Sequence, residues 1–180
     1  MAHILESAGN NGQTIRRYNI DATVGRNSRA QNRTTDVKLV QALLSIFFYE
    51  HGGEVWGGGR YAPPDAGQGG GNLRIDGKFG PITLSHINAF LDQSIRHGDE
   101  QINNDHGFDP MSTASGGLVV HGRRVYNVAL VNLNNSCFDN DRPGSLRSVP
   151  LEQRSDIMQD HPDLASALKT VKRVRGSGGR

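Results

Sequence analysis

Several groupings of residue types in this chain could do chemistry. His51 and Glu54 form a His-x-x-Glu pair, a spacing that suits zinc on a helix or turn. A third ligand would have to come from His86, His97, His106 or His121, and neither His-Glu-x-x-His nor His-x-His occurs. Cys137 could act as a nucleophile if a histidine such as His121 activated it. The local run Ser136-Cys137-Phe138-Asp139 lacks a glycine and the ordering that would aim the thiol, so a small buried apolar residue is the simpler reading. Glu50, Glu54 and Asp65 offer carboxylate pairs for glycan cleavage, although spacing in sequence does not give their separation. None of these groupings completes a site, so no catalytic residue, no metal and no cofactor is expected. The fourth grouping is different in kind. The segment Ile75-Asp76-Gly77-Lys78-Phe79-Gly80-Pro81-Ile82-Thr83 is a polar turn rich in backbone donors, and Trp56 and Tyr61 lie on a glycine-rich stretch before it. Aromatics there can stack on sugar faces or bases, or fold back onto the domain.

The elements that must position these residues follow from periodicity. Val37, Val40, Leu43, Leu44, Phe47 and Phe48 keep helical spacing, with Thr35 or Asp36 as N-cap, and predict the strongest helix of the chain. Asp76-Gly77 makes a turn, and Pro81 opens a second helix carrying Leu84, Ile87, Phe90 and Leu91 to about Ile95. Between the two helices, residues 52–72 hold nine glycines and two prolines, a composition that packs no regular element. Upstream, Ile4-Leu5 and Thr14 to Ile20 flank a Gly/Asn turn and read as a β-hairpin in a polar arm of residues 1–33. Downstream, Val125 to Leu133 is a strand or a buried helix, ended by Asn134-Asn135-Ser136. Ser148 to Gln159 predicts a short helix, and Pro162 opens a last one with Leu164, Leu168 and Val171 inward. The expected organisation is the arm, a helical module at 34–95 interrupted by the insertion 52–72, a helical extension at 96–174 packed on that module, and a flexible tail at 175–180.

Bulk properties narrow the function. The chain has 180 residues, 35% hydrophobic, enough for one decorated domain with a modest core. A formal charge of +2 speaks against a dedicated nucleic-acid binder. Basic residues do gather late, at Lys169, Lys172, Arg173, Arg175 and Arg180, as a solvated face would. A single cysteine excludes an internal disulfide framework. No run approaches the ~20 apolar residues of a membrane span, and Met1 to Asn10 does not read as a secretory signal.

Taken together, Asp36-Val37-Lys38-Leu39-Val40-Gln41-Ala42-Leu43-Leu44 and the Ile75–Thr83 segment, followed by Ile87, Ala89 and Phe90, resemble the peptidoglycan-binding domain family. Its members pair a "DVxxLQxxL" helix with a "DGxFGxxT" turn and a helix ending near "AVxxFQ". The resemblance covers roughly residues 34–95. Phe90-Leu91 stands where the family has Phe-Gln, and the glycine-rich loop replaces a short link. Val24-Gly25-Arg26, Gly107-Phe108-Asp109-Pro110, Tyr126 to Asn134 and Asp160 to Leu168 look like small bacterial proteins in which such a module continues into further helices.

The resemblance implies a mainly α fold: a small orthogonal helical bundle of the peptidoglycan-binding type, extended by C-terminal helices and preceded by a short β-hairpin. It implies non-catalytic binding of peptidoglycan or its fragments near the turn, through Asp76, Gly77, Phe79, Gly80 and Thr83, with Trp56 and Tyr61 as loop contacts. Turn geometry explains much of the same motif. Gly77 and Gly80 permit tight backbone, Asp76 can bind nearby amides, Phe79 can bury against the first helix, and Thr83 can serve an orphan amide or pair with Asp76. A second expectation is a structural protein of a phage-like particle, injection apparatus or envelope complex, with the hairpin adding a strand to a protein partner. A wall hydrolase is the third. Nucleic acid and membrane insertion are not expected, and synthesis in the cytoplasm with delivery to the envelope or a virion-like particle fits either leading reading.

Overall fold

Residues 34–45 build the centre of the molecule. In the computed structural model, helix α1 spans Thr34–Ser45, and Val37, Leu39, Val40, Ala42, Leu43 and Leu44 are all fully buried. The described residues are 1–8, 14–55, 59–68, 70–98, 102–111, 128–138 and 149–173. Trp56, the 9–13 turn, His121, Asp139 and the tail at 175–180 lie outside them. The expected apolar stripe is therefore one side of a helix that is enclosed on nearly every side. At ~1.5–3 kcal/mol per large aliphatic side chain removed from water, α1 is the main hydrophobic anchor.

The helix starts before the predicted cap. Arg33 is the N-cap residue, without a side-chain cap bond, and Asp36 sits inside the first turn. Its carboxylate is fully buried, and Oδ2 accepts the backbone N–H of Ala22 at 3.2 Å. Asp36 thus ties the 20–24 loop to α1 instead of capping it. Burial pushes its pKa up, against the opposing pull of the Met1 ammonium and the Ala22 amide.

At its C-terminal end α1 widens into a π-helical turn, Ile46–Glu50. The N–H of His51 bonds the carbonyl of Ile46 at 2.9 Å, which is the i→i+5 pattern. The wider turn keeps both Phe47 and Phe48 inside while sending Tyr49 outward. Helix α2, Pro81–Arg96, packs on α1 with Ile87, Phe90 and Leu91 inward. Phe47 and Phe90 meet at 5.2 Å in edge-to-face geometry, and Phe90 continues to Phe108 at 5.7 Å.

Strands β1 (His3–Ala8) and β2 (Thr14–Asn19) pair antiparallel, with Ile4 opposite Tyr18 and Leu5 opposite Arg17. β3 (Val24–Gly25) pairs antiparallel with β4 (Gly107–Phe108), joining two of the segments noted in the sequence. Gly25 is required there: a Cβ would stand 2.3 Å from the carbonyl oxygen of His106.

The apolar run ending at Leu133 is a helix. α3 spans Val128–Cys137 and runs through Asn134-Asn135-Ser136, which were expected to end it. Asn134 is buried because its side chain completes another element. Its Oδ1 accepts Tyr18 N–H at 2.7 Å, and its Nδ2 donates to the Tyr18 carbonyl at 3.0 Å, mimicking a strand partner for β2.

Residues 149–173 are less helical than expected. A 3-10 turn (Leu151–Gln153) and a single turn of helix α4 (Ser155–Met158) replace one short helix. α5 covers only Pro162–Ala167 and packs on α1. Val171, expected on its inner face, is 41% exposed and begins strand β5, Val171–Arg173. β5 lies parallel to β1, giving a sheet of order β2-β1-β5. The N-terminal arm and the C-terminal extension thus share one sheet. The fold is mainly helical with some strands, and no helix among the described residues is long and apolar enough to cross a membrane.

Candidate functional site

The turn between the insertion and α2 is organised by one side chain. Gln41 lies on α1 and is 1% exposed, an uncommon place for an amide. Its Oε1 accepts the N–H of Gly77 at 2.9 Å, which fixes the amide's orientation because that backbone group can only donate. Its Nε2 then faces three acceptors: Asp76 Oδ1 at 3.0 Å, Thr83 Oγ1 at 3.1 Å and the Lys78 carbonyl at 3.2 Å. The two halves of the motif therefore meet at a single buried amide.

Each motif residue has a definite place. Asp76 is exposed, and its Oδ1 also accepts the N–H of Lys78 at 2.9 Å. That bond, helped by Gln41 and the Lys78 charge, holds its carboxyl below the usual carboxylate range. Gly77 is buried with φ +74, and a Cβ on it would stand 2.6 Å from Cγ2 of Thr34. Gly80 is the N-cap of α2 in extended backbone, with Pro81 at the first helical position. Thr83 is 3% exposed and serves Gln41, neither Asp76 nor an orphan amide. Phe79 is half-buried and packs against the core.

Above this turn lies an open groove of about 420 Å³. Gln41, Thr83 and Leu73 form its floor, and Gly80, Pro81 and Ile82 one wall. Asn72, Arg74, Asp76 and Lys78 supply polar groups, all four exposed. Asp76, Gly80 and Thr83 are thus brought together at the groove, while Gly77 and Phe79 are not among its lining residues. Arg74, Lys78, Asn72 and Gln41 are polar lining residues that were not expected as ligand contacts. The two cations flanking Asp76 were the available signal.

Tyr61 is not a groove residue. It is 5% exposed and sits against Phe47 at 5.7 Å and Phe90 at 5.8 Å. The glycine-rich stretch delivers it there. Gly53, at φ +73, lets its backbone lie flush on Tyr61, whose N–H bonds the Gly53 carbonyl at 2.8 Å. A Cβ on Gly53 would fall 1.8 Å from the Tyr61 carbonyl oxygen. Of the two routes open to this aromatic, folding back is the one taken.

The groupings that hinted at catalysis are dispersed. Glu50 receives two bonds from the Arg154 guanidinium, at 2.9 and 3.1 Å. Glu54 is exposed and bridges to Arg60 through the backbone. His51 places Nδ1 at 3.2 Å from the Ser136 carbonyl. The buried thiol of Cys137 donates to the Leu43 carbonyl at 3.2 Å. Among the described residues, no three His, Cys, Asp or Glu side chains gather as a metal site would need. Compared with family models, curated proteins and solved structures, the chain matches none.

Proposed function

We propose that this chain is a non-catalytic module that binds bacterial peptidoglycan in the groove over the Asp76–Thr83 turn. The observation that carries the reading is the Gln41 hub, which joins the helix motif and the turn motif beneath one open groove. On this reading α1 and α2 form the crossed pair of a peptidoglycan-binding-type bundle, and residues 52–72 are an insertion that packs Tyr61 into it. The groove chemistry suits a stem peptide beside an acetylated sugar. Arg74 and Lys78 can pair with peptide carboxylates, Asp76 with an ammonium or amide donor, and Leu73 with Ile82 offers apolar contact for an acetyl methyl.

Co-sedimentation with purified sacculi tests the reading. The wild-type chain should pellet, and the charge reversal R74E/K78E should stay in the supernatant with an unchanged circular dichroism spectrum. Failure of the wild type to pellet would overturn the proposal. Falling turbidity of the suspension would instead favour a hydrolase.

A second reading, assembly with a protein partner, is favoured by the sheet. β5 is a three-residue exposed edge strand. β1 is enclosed between two neighbours, and the edge groups of Tyr18 on β2 are taken by Asn134. Strand addition would therefore fall on β5 or on the start of β2. Light scattering after size exclusion distinguishes a higher oligomer from a monomer.

A further inference from the structure

Arg17 is the one place in the described structure where a fixed charge is enclosed without a counter-charge. The residue is 8% exposed, and among the described residues its side chain makes neither a hydrogen bond nor an ion pair. Its Nε is wholly buried with no partner. The terminal nitrogens therefore keep what little solvent contact remains. Burial pulls its pKa down, with no carboxylate opposing that pull. Arginine does not shed its proton near neutral pH, so the charge stays and lacks a partner.

The neighbourhood explains why. Strand register sets Leu5 between Arg17 on β2 and Lys172 on β5, so the three side chains share one face of the sheet. The two cations flank Leu5 at roughly 5 Å strand spacing on either side. The nearest carboxylate on the loop after β2, Asp21, is already taken. It receives the Met1 ammonium at 2.8 Å and Lys172 at 2.7 Å. Glu6 alternates to the opposite face, where Arg16 at 3.4 Å and Arg173 at 3.2 Å hold it.

We propose that the recessed guanidinium of Arg17 is the receptor for an oxyanion, a carboxylate or phosphate group of a ligand, entering the sheet face that Arg17 shares with Lys172. The site lies on the three-stranded sheet, its residues are distinct from those lining the groove over α2, and it does not depend on peptidoglycan binding. The planar fork of a guanidinium can take two oxygens of one anion, and Lys172, paired with Asp21, flanks Leu5 on the same face. Occupation supplies the counter-charge that the chain itself does not.

The test titrates the full chain with sodium phosphate and, separately, sodium acetate, holding ionic strength constant with sodium chloride. The readouts are the Arg17 Nε–Hε resonance, identified by its absence in Arg17→Lys, and the melting temperature. A saturable shift of that resonance with a rise in Tm is expected. Saturation by phosphate alone assigns the site to phosphate, and saturation by acetate assigns it to carboxylate. Arg17→Met should abolish the anion-specific rise and melt no lower than wild type in chloride. A resonance that moves with neither anion overturns the proposal, whatever the stability of the variants. An equal Tm rise in wild type and Arg17→Met also overturns it, since the anions would then be acting elsewhere.

Discussion

The side-chain oxygen of Gln41 accepts the backbone N–H of Gly77 at 2.9 Å, across 36 residues of chain. This bond and the three that Nε2 can share make the turn a continuation of α1's packing rather than a free loop. Replacing Gln41 with leucine keeps the volume and removes the acceptor. The buried Gly77 N–H and Thr83 hydroxyl then lose their partner, at about 1–3 kcal/mol for a buried group left unpaired. Urea denaturation of Gln41→Leu should show a loss of about 2–3 kcal/mol, and the groove should bind sacculi more weakly because its floor has lost its support.

Gly77→Ala makes a more local test of the same turn. The residue has φ +74, and the added methyl meets Thr34 Cγ2 at 2.6 Å. Left-handed backbone costs about 1–2 kcal/mol for an ordinary residue, before the clash. Chemical denaturation should register a loss above about 1.5 kcal/mol. The double variant Gly77→Ala with Thr34→Ser, which removes Cγ2, should recover the part of the clash due to that methyl and leave the backbone component together with the 3.1 Å approaches to Lys38 Cγ and the Thr34 carbonyl oxygen.

Tyr61 separates a core role from a ligand role. Tyr61→Ala should lose about 3–4 kcal/mol, as large aromatic truncations in packed cores do. Tyr61→Phe should change stability by less than about 0.5 kcal/mol and leave sacculus pelleting unaltered, since no hydrogen bond holds its hydroxyl in the described structure. A Tyr61→Phe variant that folds normally but no longer pellets would return the residue to the binding surface.

His86 predicts a pH dependence. It is fully buried, donates Nδ1–H to the Ile82 carbonyl at 2.8 Å and accepts the Tyr49 hydroxyl on Nε2 at 2.6 Å. Burial lowers its pKa, against the raising effect of the Ile82 bond. The unfolded chain therefore binds a proton that the folded one refuses, starting near the ordinary histidine value of about 6.5. Stability should fall as pH drops below that value, down to the folded pKa. His86→Gln should flatten the loss measured between about pH 7 and pH 5. His3, also buried with a lowered pKa, contributes with the same sign, and Asp36, whose pKa burial raises, with the opposite one.

The local signals in the sequence were legible where one element decided the outcome. The spacing from Val37 to Phe48 and from Pro81 to Leu91 marked both main helices, and Pro81 marked the start of α2. What stayed hidden depends on partners distant in sequence. Asn134 reads as a helix breaker until Tyr18's backbone is beside it. Asp36 reads as a cap until Ala22 offers its amide. Val171 reads as the next turn of α5 until β1 presents an edge. At the site, the Asp76–Thr83 turn was visible as a pattern, but Gln41 is one polar residue in an apolar helix, and only the folded turn gives it three acceptors.

The order β2-β1-β5 has a consequence for how the molecule forms. β1 can zip with β2 as soon as both leave the ribosome, because they are neighbours in the chain. Its second edge waits for Val171–Arg173, almost the whole described length later. That pairing carries a high contact order, so sheet closure should be a late and slow phase, well after α1 and α2 have collapsed. Until then β1 exposes an unpaired row of amides and carbonyls, and nascent or truncated chains ending before β5 should be the aggregation-prone species.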